Sequence, residues 1–201
     1  AGYGAGIGGG SGGSSGTITI TGGTVEATGS YFGGAGIGGG SGGSSDTITI
    51  TGGEVRANGR RSSVGIGGGS GGSGGTINID GGTVTATGGS LGGAGIGYGG
   101  TITITGGTVR ANGGSNYGLI SAGIDGSTFS TREDGNAIIY ANSINAGGDP
   151  SQWSGIIFQG SSGQVYGDQT LAEDFTVEKN RTLTIADRAG LAVPKEITLT
   201  N

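Results

Sequence analysis

Apolar and polar residues alternate strictly in one short phrase that the chain repeats four times. It reads TITITGGTVEATG at residues 17–29, TITITGGEVRANG at 47–59, and recurs with small changes at 76–88 and 101–113. Alternation of this kind predicts a half-buried strand, with Ile18 and Ile20 on one face and Thr17, Thr19 and Thr21 on the other. Continued past Ile20 the alternation would turn residue 24 inward, yet the apolar residue is Val25. The pair Gly22–Gly23 must therefore absorb a one-residue shift, which a bend with positive φ does and glycine permits. Val25 and Ala27 open a second strand, and Ala5 with Ile7 form a third, very short one.

Spacing separates rigid from variable text. From the opening Thr to the Val is eight residues in every copy, whereas from the Ile of each GIG (Ile7, Ile37, Ile66, Ile96) to that Thr is ten, ten, ten and then five. The glycine-rich text between them is expected to be a loop at one corner. A copy of about 30 residues cannot bury its apolar face alone, so the coils must stack. The predicted fold is all-β, a right-handed parallel β-solenoid with three short strands per coil, its hand following the general rule for parallel crossovers. Stacking places Ile18, Ile48, Ile77 and Ile102 in one inner ladder and Val25, Val55, Val84 and Val109 in another. A bundle of polyproline-type helices would not need β-branched residues at period two.

Residues 1–113 are read as four regular coils, 114–150 as one irregular, looped coil in which AGID echoes AGIG, and 151–201 as smaller coils continuing the same stack. The chain opens mid-pattern and stops on ITLTN, as a fragment or processed piece would.

Composition narrows the chemistry. The 56 glycines of 201 residues would suggest disorder, but the Thr-Ile alternation does not belong to a flexible linker, and collagen's Gly-X-Y period is missing. With no cysteine, methionine or histidine in the sequence, disulfide frameworks, thiolate metal sites and Ser-His-Asp triads cannot be built. Residues 1–113 hold four acids and four bases, residues 114–201 ten acids and five bases, so neither part has the basic stripe that nucleic acid requires. No run of the sequence is long and apolar enough to span a bilayer. The GxGxxG-like text in GAGIGGGSGG precedes a strand and recurs, unlike a nucleotide loop.

The phrases GAGIGGG, TITITGGTVEATG and VYGDQTLAEDFTVEKNRTLTI together resemble the glycine-rich β-helical surface proteins of Gram-positive bacteria. That resemblance covers nearly the whole chain and implies an extracellular or cell-surface protein of the carbohydrate-binding or adhesin type. The expected role is non-enzymatic, structural and adhesive, with glycan or extracellular matrix as partner. Self-association is a second expectation: the open first coil at Ala1 would stack on a partner's terminal coil near ITLTN to give a fibre.

Four sets of residues are candidates. Aromatic rings that could stack on pyranose faces are Tyr31, Tyr98, Tyr117 and Trp153, with Tyr3, Phe32 and Leu91 in similar places before the GIG strands. Outward threonines form a lattice of the columns Thr17, Thr47, Thr76, Thr101; Thr19, Thr49, Asn78, Thr103; and Thr21, Thr51, Asp80, Thr105, spaced about 7 Å by about 4.8 Å, which resembles the ice-binding faces of antifreeze solenoids. Glu26 and Arg56 fall on neighbouring coils as an exposed charge pair. The acids and base Asp125, Arg132, Glu133, Asp134 and Asp149 are the one dense cluster from which a pectin-degrading site or a structural calcium site could be drawn, and no other cofactor is expected.

Overall fold

The computed structural model describes residues 2–132 and 134–201; Ala1 and Glu133 lie outside them. Among these residues there is no α-helix. The first coil is β1 (Ile7–Gly8), β2 (Thr17–Ile20) and β3 (Thr24–Thr28); the second is β4 (Ile37–Gly38), β5 (Thr47–Ile50) and β6 (Glu54–Asn58); the third is β7 (Ile66–Gly67), β8 (Thr76–Ile79) and β9 (Thr83–Thr87). In the fourth, where five residues replace ten between GIG and Thr, the two strands fuse into β10 (Ile96–Ile104), followed by β11 (Thr108–Asn112). Tyr98 and Gly99, with φ of 88° and 79°, make the bend inside β10.

The glycine pair between the two strands absorbs the parity shift, leaving Ile20 and Val25 both against the core. Gly23, Gly53, Gly82 and Gly107, the second glycine of each pair, all have positive φ, and all coils pair in parallel with the repeats in register. Ile48, Ile77 and Ile102, and Val55, Val84 and Val109, have no solvent exposure. Burying one such side chain is worth about 1.5–3 kcal/mol, so the stacked ladders are the main stabilising element.

The irregular region keeps this register. After the antiparallel hairpin of β12 (Ser115–Asn116) and β13 (Leu119–Ile120), β14 (Ile124–Ser130) and β15 (Ile138–Ala141) form a fifth coil; β16 (Ile144–Gly147) and β17 (Gly155–Gln159) form a sixth, joined through a short 3-10 helix at Pro150–Gln152. Ile96 pairs with Ile124 and Ile124 with Ile144, while Val109 pairs with Ile139 and Ile139 with Ile157.

One expectation is sharpened and one corrected. The glycine-rich text is a loop at one corner but not a slack one: in the first three coils it stacks on its neighbours through backbone hydrogen bonds, with Gly12 N donating to Ser41 O (2.8 Å), Gly42 N to Ser70 O (2.9 Å) and Gly69 N to Gly43 O (2.9 Å). Glycine is required because backbone lies on backbone. A Cβ on Gly40 would overlap the Gly10 carbonyl oxygen, and one on Gly69 the Gly40 carbonyl oxygen.

Nor do the C-terminal coils prolong the same bore. Strand β18 (Ser162–Tyr166) turns back antiparallel to β17, and the small coil it begins with β19 (Asp168–Thr170) and β20 (Phe175–Thr176) is followed, strand for strand in parallel, by β21 (Thr182–Ile185), β22 (Gly190–Ala192) and β23 (Leu199–Thr200). The physical reason lies in two apolar runs. In β15 and β17, Ile139, Ala141 and Ile157 face the main bore, whereas Tyr140, Ile156 and Phe158 face a second core with Val165, Leu171, Phe175 and Val177. Strands apolar on both faces need cover on both, and the small coils supply the second.

Candidate functional site

The four aromatic candidates do not share one platform. Trp153 is buried and belongs to the main core, edge-on to Phe129 (ring centroids 5.0 Å apart) and to Tyr166 (5.5 Å), so its face is not offered to a ligand. It stands over Phe129, the fifth-coil successor of Ile102, and closes the main bore there. Its Nε1 is buried without a hydrogen-bond partner among the described residues. Tyr98 is half-buried against the small cluster of Ala35, Val64 and Ala94.

Tyr31 and Tyr117 are exposed, 60% and 99%, and both lie on the corner that joins the Val strand of one coil to the GIG strand of the next. Nine-residue β10 shortens a different corner and leaves this one intact. Here Tyr3 stacks on Phe32 (4.8 Å, planes 22° apart), Tyr31 meets Phe32 edge-on (5.4 Å), and the Arg61 guanidinium carbon is 5.8 Å from the Tyr31 ring centre. Leu91 N donates to Arg61 O (2.9 Å), which sets the next coil on the same column. The column ends in the β12–β13 hairpin, whose turn residues Tyr117 and Gly118 both have positive φ and thrust Tyr117, Leu119 and Ile120 into solvent. Of the ten large apolar side chains exposed among the described residues, these three with Tyr3, Tyr31 and Leu91 make six on one corner; the others, Ile7, Ile185, Val193 and Leu199, lie at the first and last rungs. Sequence reading noticed Tyr3, Tyr31, Phe32 and Leu91 but not Leu119 and Ile120, for which a short apolar pair in a polar loop was the available signal.

Two of the three threonine columns align in register from coil to coil. Thr17, Thr47, Thr76 and Thr101 are Cα neighbours, as are Thr19, Thr49, Asn78 and Thr103, and the backbone ladder carries on through Thr51, Asp80 and Thr105. Asp80 interrupts the hydroxyl pattern by taking the hydroxyl of Thr105 as a donor (2.7 Å). Glu26 and Arg56 face each other across the register, but Arg56 pairs with Glu54 of its own strand at 2.8 Å.

The acidic cluster disperses into local duties. Asp149 accepts from Ser151 N at the start of the 3-10 helix (2.9 Å), and that backbone hydrogen bond holds its carboxyl below the usual range. Asp125 accepts from Asn145 (3.2 Å), Arg132 lies 3.6 Å from Asp134 with both side chains largely exposed, and Glu133 is outside the described residues. No group of three or more acids that could hold a metal ion is present among the described residues. No helix of the described residues is long and apolar enough to cross a membrane.

The most connected polar group holds the two bores together. Arg110 and Arg181 both donate to Glu178 (2.7 and 2.9 Å) and lie over the Tyr140 ring, which is itself stacked on Phe158 (4.9 Å, 5°). Burial pushes the Tyr140 hydroxyl above its ordinary value, against the two guanidiniums. At Glu178 burial also pushes upward, but the hydrogen bonds from Arg110 and Arg181 prevail and the carboxyl is held low. A carboxyl held low stabilises fully above the ordinary glutamate value of about 4.3 and loses that contribution as pH falls through its folded value. We expect Glu178→Gln to flatten the acid limb of unfolding, followed by circular dichroism. Its cost at neutral pH should be about 1 kcal/mol or less, since all three side chains are partly solvated.

A family model described as beta helix repeat matches residues 18–41, 48–70, 77–97 and 102–128. No curated protein and no solved structure matches the chain. The four matches begin at Ile18, Ile48, Ile77 and Ile102, the inward isoleucines of one ladder, so each match is one coil of the stack. The fold is thus a parallel β-solenoid whose regular coils match β-helix repeats.

Proposed function

We propose that the protein is a non-catalytic, extracellular structural and adhesive module that binds carbohydrate, of the kind displayed on a bacterial cell surface. β-helix repeats occur in enzymes and non-enzymes alike, so the fold does not decide. The observation that carries the reading is the single exposed apolar corner: away from the first and last rungs, every exposed large apolar side chain among the described residues lies on it. Elsewhere the regular coils show water mainly threonine, serine and glycine. A monomer normally hides such a stripe, and exposed rings held along one edge of a stack, at Tyr3, Tyr31 and Tyr117, suit the apolar faces of sugar units in an extended chain. The stacked backbone beneath makes the stripe stiff, so little ordering cost falls on binding.

Pull-down on insoluble plant and host polysaccharides tests this. The wild-type chain should be retained on at least one. A Tyr31→Ala, Tyr117→Ala double variant should be retained at least about fivefold less with its melting curve unchanged, the loss of one interfacial anchor being worth about 1 kcal/mol or more. No retention on any polysaccharide would refute the reading.

End-to-end assembly is the second reading. The expected stacking on ITLTN fits poorly, since the last small coils repeat every 20–24 residues against about 30 in the regular stack, and their strands cannot match the first rung's. Ala1 itself lies outside the described residues.

A further inference from the structure

Resting on the carbohydrate reading, we propose that the apolar corner selects acidic polysaccharides built from uronate units, and that Arg60 and Arg61 read their carboxylates. The corner segments 29–35, 59–65, 88–94 and 113–122 contain no aspartate or glutamate and two adjacent arginines, in a chain of net charge −5. The four acids of the regular coils, Glu26, Asp46, Glu54 and Asp80, stand on outward strand faces or at the other corners. Both arginines are exposed and neither is ion-paired among the described residues, unlike Arg56, Arg110, Arg132 and Arg181.

Geometry puts charge and ring side by side. Arg61 extends over Tyr31 at 5.8 Å; its backbone has φ of 55°, and it stands one coil beyond Tyr31 and one coil before Leu91. A chain lying along the corner would thus meet the Tyr3, Phe32 and Tyr31 rings, then the guanidiniums, then Leu91 and the hairpin tip. A guanidinium fork offers two parallel N–H donors to a carboxylate, which a neutral sugar cannot use. Two cations over four rungs match a chain bearing spaced carboxylates better than a densely sulfated one. The stripe's ring faces favour the same ligand over a simple anion.

Affinity electrophoresis in native gels containing polygalacturonate, uncharged galactan or heparin tests the assignment, using wild type, Arg60→Gln/Arg61→Asn and Tyr31→Ala. Asparagine at 61 tolerates the positive φ, so the fold should survive, and unchanged melting curves check that. We expect retardation by polygalacturonate that weakens with added salt, is reduced about tenfold in the arginine variant and falls in Tyr31→Ala. Equal retardation of the arginine variant, or stronger retardation by galactan or heparin than by polygalacturonate, would overturn the uronate assignment while leaving carbohydrate binding in place. No retardation in any of the three gels, together with no retention on any solid polysaccharide, would remove both.

Discussion

Replacing Gly69 by alanine should destabilise the protein by about 3 kcal/mol or more, while the same change at Gly10 should leave stability unchanged or slightly raised. The two residues occupy the same place in different coils. A methyl group on Gly69 would overlap the carbonyl of Gly40 in the preceding coil, and the atoms it strikes are all backbone. On Gly10 it would meet nothing within 4 Å, because no coil of the described residues lies against that side of it. Local conformation and helix or strand propensity therefore cancel in the comparison, leaving only the contact between coils. Thermal unfolding followed by circular dichroism should show Gly69→Ala melting roughly 6–12 °C lower, given about 2–4 °C per kcal/mol for a chain of this size. Equal melting temperatures for the two variants would mean that the glycine-rich segments are slack loops and not a stacked layer.

That contrast shows why this layer was hidden in the sequence when the neighbouring strands were plain. The fixed eight-residue step from Thr to Val and the glycine pair inside it can be read because isoleucine, valine and threonine mark inside and outside by their chemistry. Glycine carries no such mark. A run such as GGGSGGSSG has the same composition whether it is a flexible loop or a layer where backbones touch, and only the neighbouring coil distinguishes them. The second bore was obscured for a related reason: the unbroken runs AIIYA and GIIFQ say that a strand is covered on both faces but not by what. The corner was half legible. Its aromatics stood out, but grouping them required knowing that Tyr31, Leu91 and Tyr117 fall on the same edge while Tyr98 and Trp153 do not.

Trp153 is where sequence and structure disagree most sharply about function, and it carries the second large effect. Truncation to alanine should cost about 3–5 kcal/mol, because the side chain fills the bore above Phe129 and bears on Tyr166. Trp153→Phe should cost much less: it keeps an aromatic ring in place and removes the Nε1 group that is buried without a partner among the described residues, a group whose desolvation itself costs about 1–3 kcal/mol. The chain has one tryptophan, so its fluorescence reports this position alone. Emission should be shielded from acrylamide in the folded protein and unmoved by any polysaccharide that binds, since the ring lies in the core while the proposed ligand runs along an outer corner. Emission that shifts or becomes protected on adding polygalacturonate would return Trp153 to the binding surface and displace the corner formed by Tyr31, Arg61 and Tyr117.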